Sequence, residues 1–182
     1  MAVAMGYAME TPSPQPQKTN LRHLLEEQAR DLYNAETKYS EFITRMKLSS
    51  DDKDLAEKFD HIREGTAKNI TMLKEICDEL GVPPTGVKCE AMAGLLREAQ
   101  ETDHDYAHGS LKDAALIANA QRIAHYEIAG FGTARAFADK LGFDSIADKF
   151  EEMAEQSGAI DKKLTKIATG SWLTTGVNDD AA

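Results

Sequence analysis

Four long stretches of this chain repeat apolar residues in mixed steps of three and four, and none of them contains a proline. Few folds accept that pattern. An α-helix turns once in 3.6 residues, so such a seam lines one helical face, whereas a half-buried strand needs strict alternation. The first stretch runs from about Asn20 to Lys47, with the seam Leu21, Leu25, Gln28, Leu32, Glu36, Tyr39, Ile43 and Met46. The second, from about Asp51 to Leu80, carries Leu55, Phe59, Ile62, Thr66, Asn69, Leu73, Ile76 and Leu80. The third, from about Lys112 to Leu141, carries Leu116, Ala120, Ile123, Glu127, Gly130, Ala134, Phe137 and Leu141. The fourth, from about Asp144 to Ala168, carries Ile146, Phe150, Met153, Ser157, Ile160, Leu164 and Ile167.

End signals match these seams. Ser49 or Ser50 is placed to cap the second helix, and Gly81 followed by Pro83 ends it. Ser110 with Asp113 reads as a capping pair for the third, and Gly142 closes it. Gly130 and Gly132 within the third each cost about 1 kcal/mol relative to alanine, and a glycine on the seam lets a neighbouring helix approach closely. Mixed three and four steps suit helices packed at a shallow angle. Short loops make the first two helices antiparallel neighbours, and likewise the last two. The link from Val82 to Leu111 is long enough to cross the bundle and is predicted to hold a short helix from Lys88 to about Glu101. The expected fold is therefore all-α: a ferritin-like four-helix bundle of two antiparallel hairpins joined by a long crossover. The expected boundaries are a flexible arm over residues 1–18, extended around Pro12, Pro14 and Pro16, the bundle over 19–169, and a loose tail over 170–182. Trp172 and Leu173 in that tail are candidates to fold back onto the body or a partner.

A net charge of −10, from 21 basic and 31 acidic residues with no basic stripe, argues against nucleic-acid binding. No apolar run is long enough to span a bilayer, and the N-terminus lacks the basic region of a secretory signal. A cytoplasmic protein is expected, with Cys77 and Cys89 as free thiols.

Polar residues inside an apolar seam need a reason, because an unpaired buried polar group is costly. Glu36 and Glu127 sit near the middle of their helices and can face each other across the core. Two such carboxylates are half of a di-metal carboxylate site, whose other half is a Glu-x-x-His on each remaining helix. Here the second helix offers Thr66 and Asn69 and the fourth Ser157. The expectation is a polar core cluster at a degenerate or weak metal site. No cofactor is expected at full stoichiometry, with iron or manganese the possible ions. Crowded, poorly solvated carboxyls should leave at least one of the pair protonated near neutral pH. The one Glu-x-x-His is Glu101 with His104, followed by His108, in the polar crossover; it is a weak surface metal candidate. His61 and His125 lie beside the seams as surface groups. No nucleophile motif or glycine-rich phosphate loop is present.

Three segments, RDLYNAETKYSEFITRM, KCEAMAGLLREAQE and DAALIANAQRIAHYEIAGFGTARAFADKLG, resemble the YciE/YciF family of bacterial ferritin-like proteins over roughly Leu21 to Leu164. The resemblance implies a bundle, usually dimeric, linked to stress responses, with carboxylates at its centre where Glu36 and Glu127 stand. The chain departs from that pattern at Ala124, Gln156, Ser157, Ile62, Gly65 and Asn69, while Glu64 and Asp161 remain as substitute ligands. Ile117, Ile128 and Phe131 lie outside the seam, and a helix apolar on two faces has two partners, in keeping with a homodimer. The expected function is a stress-associated, non-catalytic bundle. The alternatives are a di-iron or di-manganese oxidase or peroxide-consuming enzyme, and a bundle holding an apolar small molecule between its helices.

Overall fold

The computed structural model describes residues 20–172 and 174–182. The expected arm and Leu173 lie outside them. Helices α1 (Leu21–Ser49) and α2 (Lys53–Leu80) form one antiparallel hairpin; α4 (Ser110–Leu141) and α5 (Asp144–Thr169) form the other. The crossover carries α3 (Glu90–Asp105), and a last turn, α6 (Val177–Asp180), follows α5. Among the described residues the only β-pairing is one isolated bridge between Ser171 and Thr174. This is the expected connectivity of two hairpins and a long crossover. At 1.5 Å per residue the four long helices span roughly 40–48 Å.

Local chemistry fixes most helix ends. Asn20 caps α1 by accepting the His23 N–H at 3.0 Å. α2 is capped by the Asp52 carboxylate, which accepts the Leu55 N–H at 2.8 Å, and neither Ser49 nor Ser50 takes that role. Gly81 and Gly142 end α2 and α4 with φ of 74° and 76°. Val82 and Phe143 then donate back to Cys77 and Ala138 at 3.0 Å each, closing Schellman turns that only glycine enters without strain.

The expected Ser110–Asp113 capping pair does not form. Gly109 stands at the α4 N-terminus with no side-chain cap. Asp113, 2% exposed, instead accepts the Ser50 hydroxyl at 2.9 Å and the Asp51 and Asp52 N–H groups at 3.0 and 2.9 Å. The two N–H groups belong to the turn between helices, where no helical carbonyl is placed to receive them. Three converging donors hold the carboxylate more strongly than its own helix start does.

α4 is buried on more than one side because α1, α5, α3 and α6 all pack on it. Ile117 and Phe131 are accordingly buried in this chain's own core, Phe131 beside Phe150 with ring centroids 6.5 Å apart. These two residues are therefore not the free apolar face from which a dimer was expected, and Ile128 is half-buried. Gly130 faces Leu32 of α1, whose Cδ2 would stand 2.7 Å from an added Cβ. The seam glycine thus admits the neighbouring helix as its position predicts. The tail is not loose where it is described: Val177 is buried in the core and α6 packs on α4 and α5, while Trp172 is 91% exposed and does not fold back.

The apolar core falls into two clusters. One, near the α1–α2 loop, includes Tyr39, Ile43, Leu55, Phe59, Ile123 and Leu164. The other, near the α4–α5 turn, includes Leu25, Leu32, Leu73, Ile76, Phe131 and Phe150. In sequence, the buried polar residues Thr66, Asn69, Glu127 and Ser157 lie between the two clusters on α2, α4 and α5, and Glu36 lies beside Ala35 near their junction on α1.

Candidate functional site: a buried carboxyl pair

Each side chain of this polar layer is aimed inward by the same 3.6-residue period that builds the core around it. Glu36 from α1 is 0% exposed and Glu127 from α4 is 4% exposed. They stand close enough that each bears on the other's ionisation. Asn69 Nδ2 donates to Glu36 Oε2 at 3.1 Å. Ser157 Oγ is 2.8 Å from Glu127 Oε2 and 3.2 Å from the Met153 carbonyl. A hydroxyl has one proton, and the shorter contact to the more strongly accepting carboxylate takes it. Glu36 Oε1 and Asn69 Oδ1 meet no protein donor among the described residues.

Two ionised carboxylates in this space would repel each other out of reach of water. Burial, and then the charge of Glu127, push the Glu36 carboxyl well above the usual carboxylate range, against the Asn69 hydrogen bond that pulls it down. Burial raises Glu127 to about 7, offset by the hydrogen bonds it accepts from Ser157 and Glu36. Of the two, Glu36 is the carboxyl that the surroundings press harder toward its protonated form. A proton turns a carboxyl oxygen from an acceptor into a donor, and Oε1 is the Glu36 oxygen that no protein donor reaches among the described residues. Burial and then the charges of Glu127 and Glu36 hold the Tyr39 phenol well above its usual range, so it stays neutral beside the pair. Tyr39 reads as an ordinary seam residue in the sequence; only its neighbours make it part of this site.

The other candidate ligands are not brought here. Glu64 is exposed, in the outer groove between α2 and α5 together with Gly65 and Gln156. Asp161 accepts from Gln121 Nε2 at 3.0 Å and lies 3.4 Å from His125 Nε2, beside the bundle rather than at its centre. Glu101 and His104 are exposed on α3, and His108, beyond the end of that helix, turns to Asp51 at 3.2 Å. Helix α3 stops at Asp105, so His104 and His108 do not share a helical face. Among the described residues, no three His, Cys, Asp or Glu side chains converge as a metal-binding group. Two carboxylates with neutral Asn69, Ser157 and Thr66 do not fit a centre of two ions, each of which needs several anionic or imidazole donors. The main clefts of the molecule open on its outside, away from this layer.

Both cysteines are free and buried. Burial pushes the Cys77 thiol up to about 11 and raises that of Cys89. Cys89 accepts the Met92 N–H at 3.4 Å as the cap of α3. Its sulfur lies 3.0 Å from the Tyr126 hydroxyl, which donates to Asp31 at 2.8 Å. That arrangement orients the thiol proton toward Tyr126 and ties the crossover to α1 and α4.

The family model described as "Domain of unknown function (DUF892)" matches residues 20–181. The chain belongs to the DUF892 family. It is 33% identical to Protein YciF of Escherichia coli (strain K12) over 139 residues, covering 76% of this chain and 84% of that one. The crystal structure of the E. coli stress protein YciF superposes with a TM-score of 0.79 at 30% identity, over 82% of this chain and 94% of that one. YcfI, a proposed structural protein from Rhodopseudomonas palustris, superposes with a TM-score of 0.79 at 35% identity, over 82% and 96%. The DUF892 match extends through the short α6 turn, consistent with Val177 being part of the core. No helix among the described residues of this DUF892 chain is long and apolar enough to cross a membrane.

Proposed function

We propose that this chain is a stress-associated, ferritin-like bundle protein of the cytoplasm whose central site has exchanged a metal pair for a shared proton, and that it does no catalysis there. The observation that carries the reading is the composition of the buried layer: the Glu36 and Glu127 carboxyls, flanked by Asn69 and Ser157 and by no further anionic ligand among the described residues. A cation entering the layer has to displace the proton from the pair, so any iron or manganese binding is weak at neutral pH and strengthens as pH rises. The stress role is supported by the similarity to E. coli YciF, which is described as a stress protein. Elemental analysis of protein purified without a histidine tag tests the reading. Well under one transition-metal ion per chain is the expected result, and about two per chain, lost in Glu127→Ala, would reject it.

We further propose that it works as a homodimer. Leu48 and Leu111 are 75% and 57% exposed, and both belong to the end of the bundle where Asp113 clamps the α1–α2 loop. Apolar residues left in water near one end favour a partner there. Light scattering that returns only the monomer mass at micromolar concentration would reject the dimer.

A further inference from the structure

Helices α2 and α5 face each other across a groove on the outside of the bundle. It holds two adjoining clefts, of about 400 Å³ and 240 Å³, both lined by Lys58, His61 and Lys163. The protein as a whole is acidic, and many of its cations are matched to acids: Lys47 with Asp60, Lys149 with Glu75, Arg135 with Glu151, and Lys68, at one end of the groove, with Glu152. In the middle of the groove the pattern breaks. Lys58 from α2 and Lys163 from α5 line both clefts, and among the described residues neither stands in an ion pair. Asp54 is one helical turn before Lys58 on the same cleft, a spacing that ordinarily pairs, yet no bridge forms. Partial burial and then the facing Lys163 charge hold the Lys58 amine below its usual range. Two like charges held together with acids within a turn is an arrangement that an intervening anion relieves.

The rest of the groove supplies the remaining contacts. The Nδ1–H of His61 is spent on the Glu57 carbonyl at 3.0 Å, which leaves Nε2 as the ring atom open to a ligand. A Cβ on Gly65 would collide with the Gln156 side chain, so the glycine is what lets that amide lie in the cleft. Ala159 and Ile160 give an apolar wall. The volume is that of sites for small organic molecules. We propose that the α2–α5 groove is an anion site for an organic phosphate, with the phosphate between Lys58 and Lys163 and the apolar part against Ala159 and Ile160. The site is independent of what the bundle centre holds.

The test is an amide NMR titration of the full chain with phenyl phosphate, inorganic phosphate and chloride at fixed ionic strength. Phenyl phosphate should give saturable shifts confined to residues 58–65 of α2 and 156–163 of α5. Lys58→Gln and Lys163→Gln should each weaken binding about tenfold while the helical circular dichroism is unchanged, and Lys58→Arg should retain it. Inorganic phosphate should bind the same residues more weakly. Shifts that do not saturate, that persist in both Gln variants, or that chloride reproduces would overturn the site. Inorganic phosphate binding as tightly as phenyl phosphate would overturn the assignment of the apolar part.

Discussion

Glu36→Gln is the substitution that interrogates the buried layer most directly. The introduced glutamine reproduces the hydrogen bonds assigned to a protonated Glu36: its carbonyl accepts from Asn69, and its amide donates to Glu127. What the substitution removes is ionisation. A glutamate in the unfolded chain titrates near 4.5, and the folded Glu36 well above it. A folded pKa above the unfolded one gives stability that is complete below the unfolded value and is lost as pH rises through the folded value. At pH 8 the unfolded carboxyl is about 3.5 pH units past its midpoint, so holding the proton in the fold costs at most about 5 kcal/mol; at pH 5 the cost is below about 1 kcal/mol. Relaxation and water entry reduce the upper figure, as they do for other buried ionisable groups. Glu36→Gln should therefore stabilise the protein by about 1–3 kcal/mol at pH 8 and leave it nearly unchanged at pH 5. Urea melts at both pH values, with EDTA present, measure this. A variant less stable than the native protein at pH 8 would refute the shared proton. If that loss appeared only without EDTA, a bound cation would be stabilising the native centre.

Further perturbations probe the neighbouring structure. Ser157→Ala removes a hydrogen bond that lowers the Glu127 pKa, so the carboxyl carbon of Glu127 should titrate above its native value of about 7 in carbon-13 NMR; an unchanged midpoint would show that Ser157 donates to Met153 instead. Asp113→Ala takes the shared acceptor from three donors of the α1–α2 loop and should cost about 3 kcal/mol in a denaturant melt, whereas a loss below about 1 kcal/mol would mean that water replaces the clamp. Gly132 has open space where a Cβ would stand, so Gly132→Ala should gain up to about 1 kcal/mol. Gly130→Ala should lose that gain by driving into Leu32, at about 1–3 kcal/mol for overpacking; equal melting temperatures for the two variants would contradict the close approach of α1 to α4.

Much of this molecule is readable along the chain because helices report on themselves. Asn20, Gly81 and Gly142 act on groups within a few residues, so the helix ends they set need no knowledge of the fold. The inward placement of Glu36, Asn69, Glu127 and Ser157 is equally local. The period that puts leucines on one face puts these residues on it too, and their mid-helix positions bring them to one level. The outward position of Glu64 was also legible, since it stands two residues from both Ile62 and Thr66 and so on the opposite face.

The pairing of faces was not. Asp113 finds its donors 61 to 63 residues away. Ile117 and Phe131 look surplus on an isolated α4, yet other elements of the same chain bury them. Lys58 and Lys163 look like two unrelated surface lysines until α2 and α5 set them side by side. Val177 sits in a polar tail whose composition gives no hint of burial. The sequence by itself determined the helices, their ends and the polar layer facing inward, because each rests on contacts within a turn or two. Only the tertiary structure decided which carboxyls are buried together, which acid clamps a distant loop and which lysines line a groove, because those depend on side chains that folding brings together from different helices.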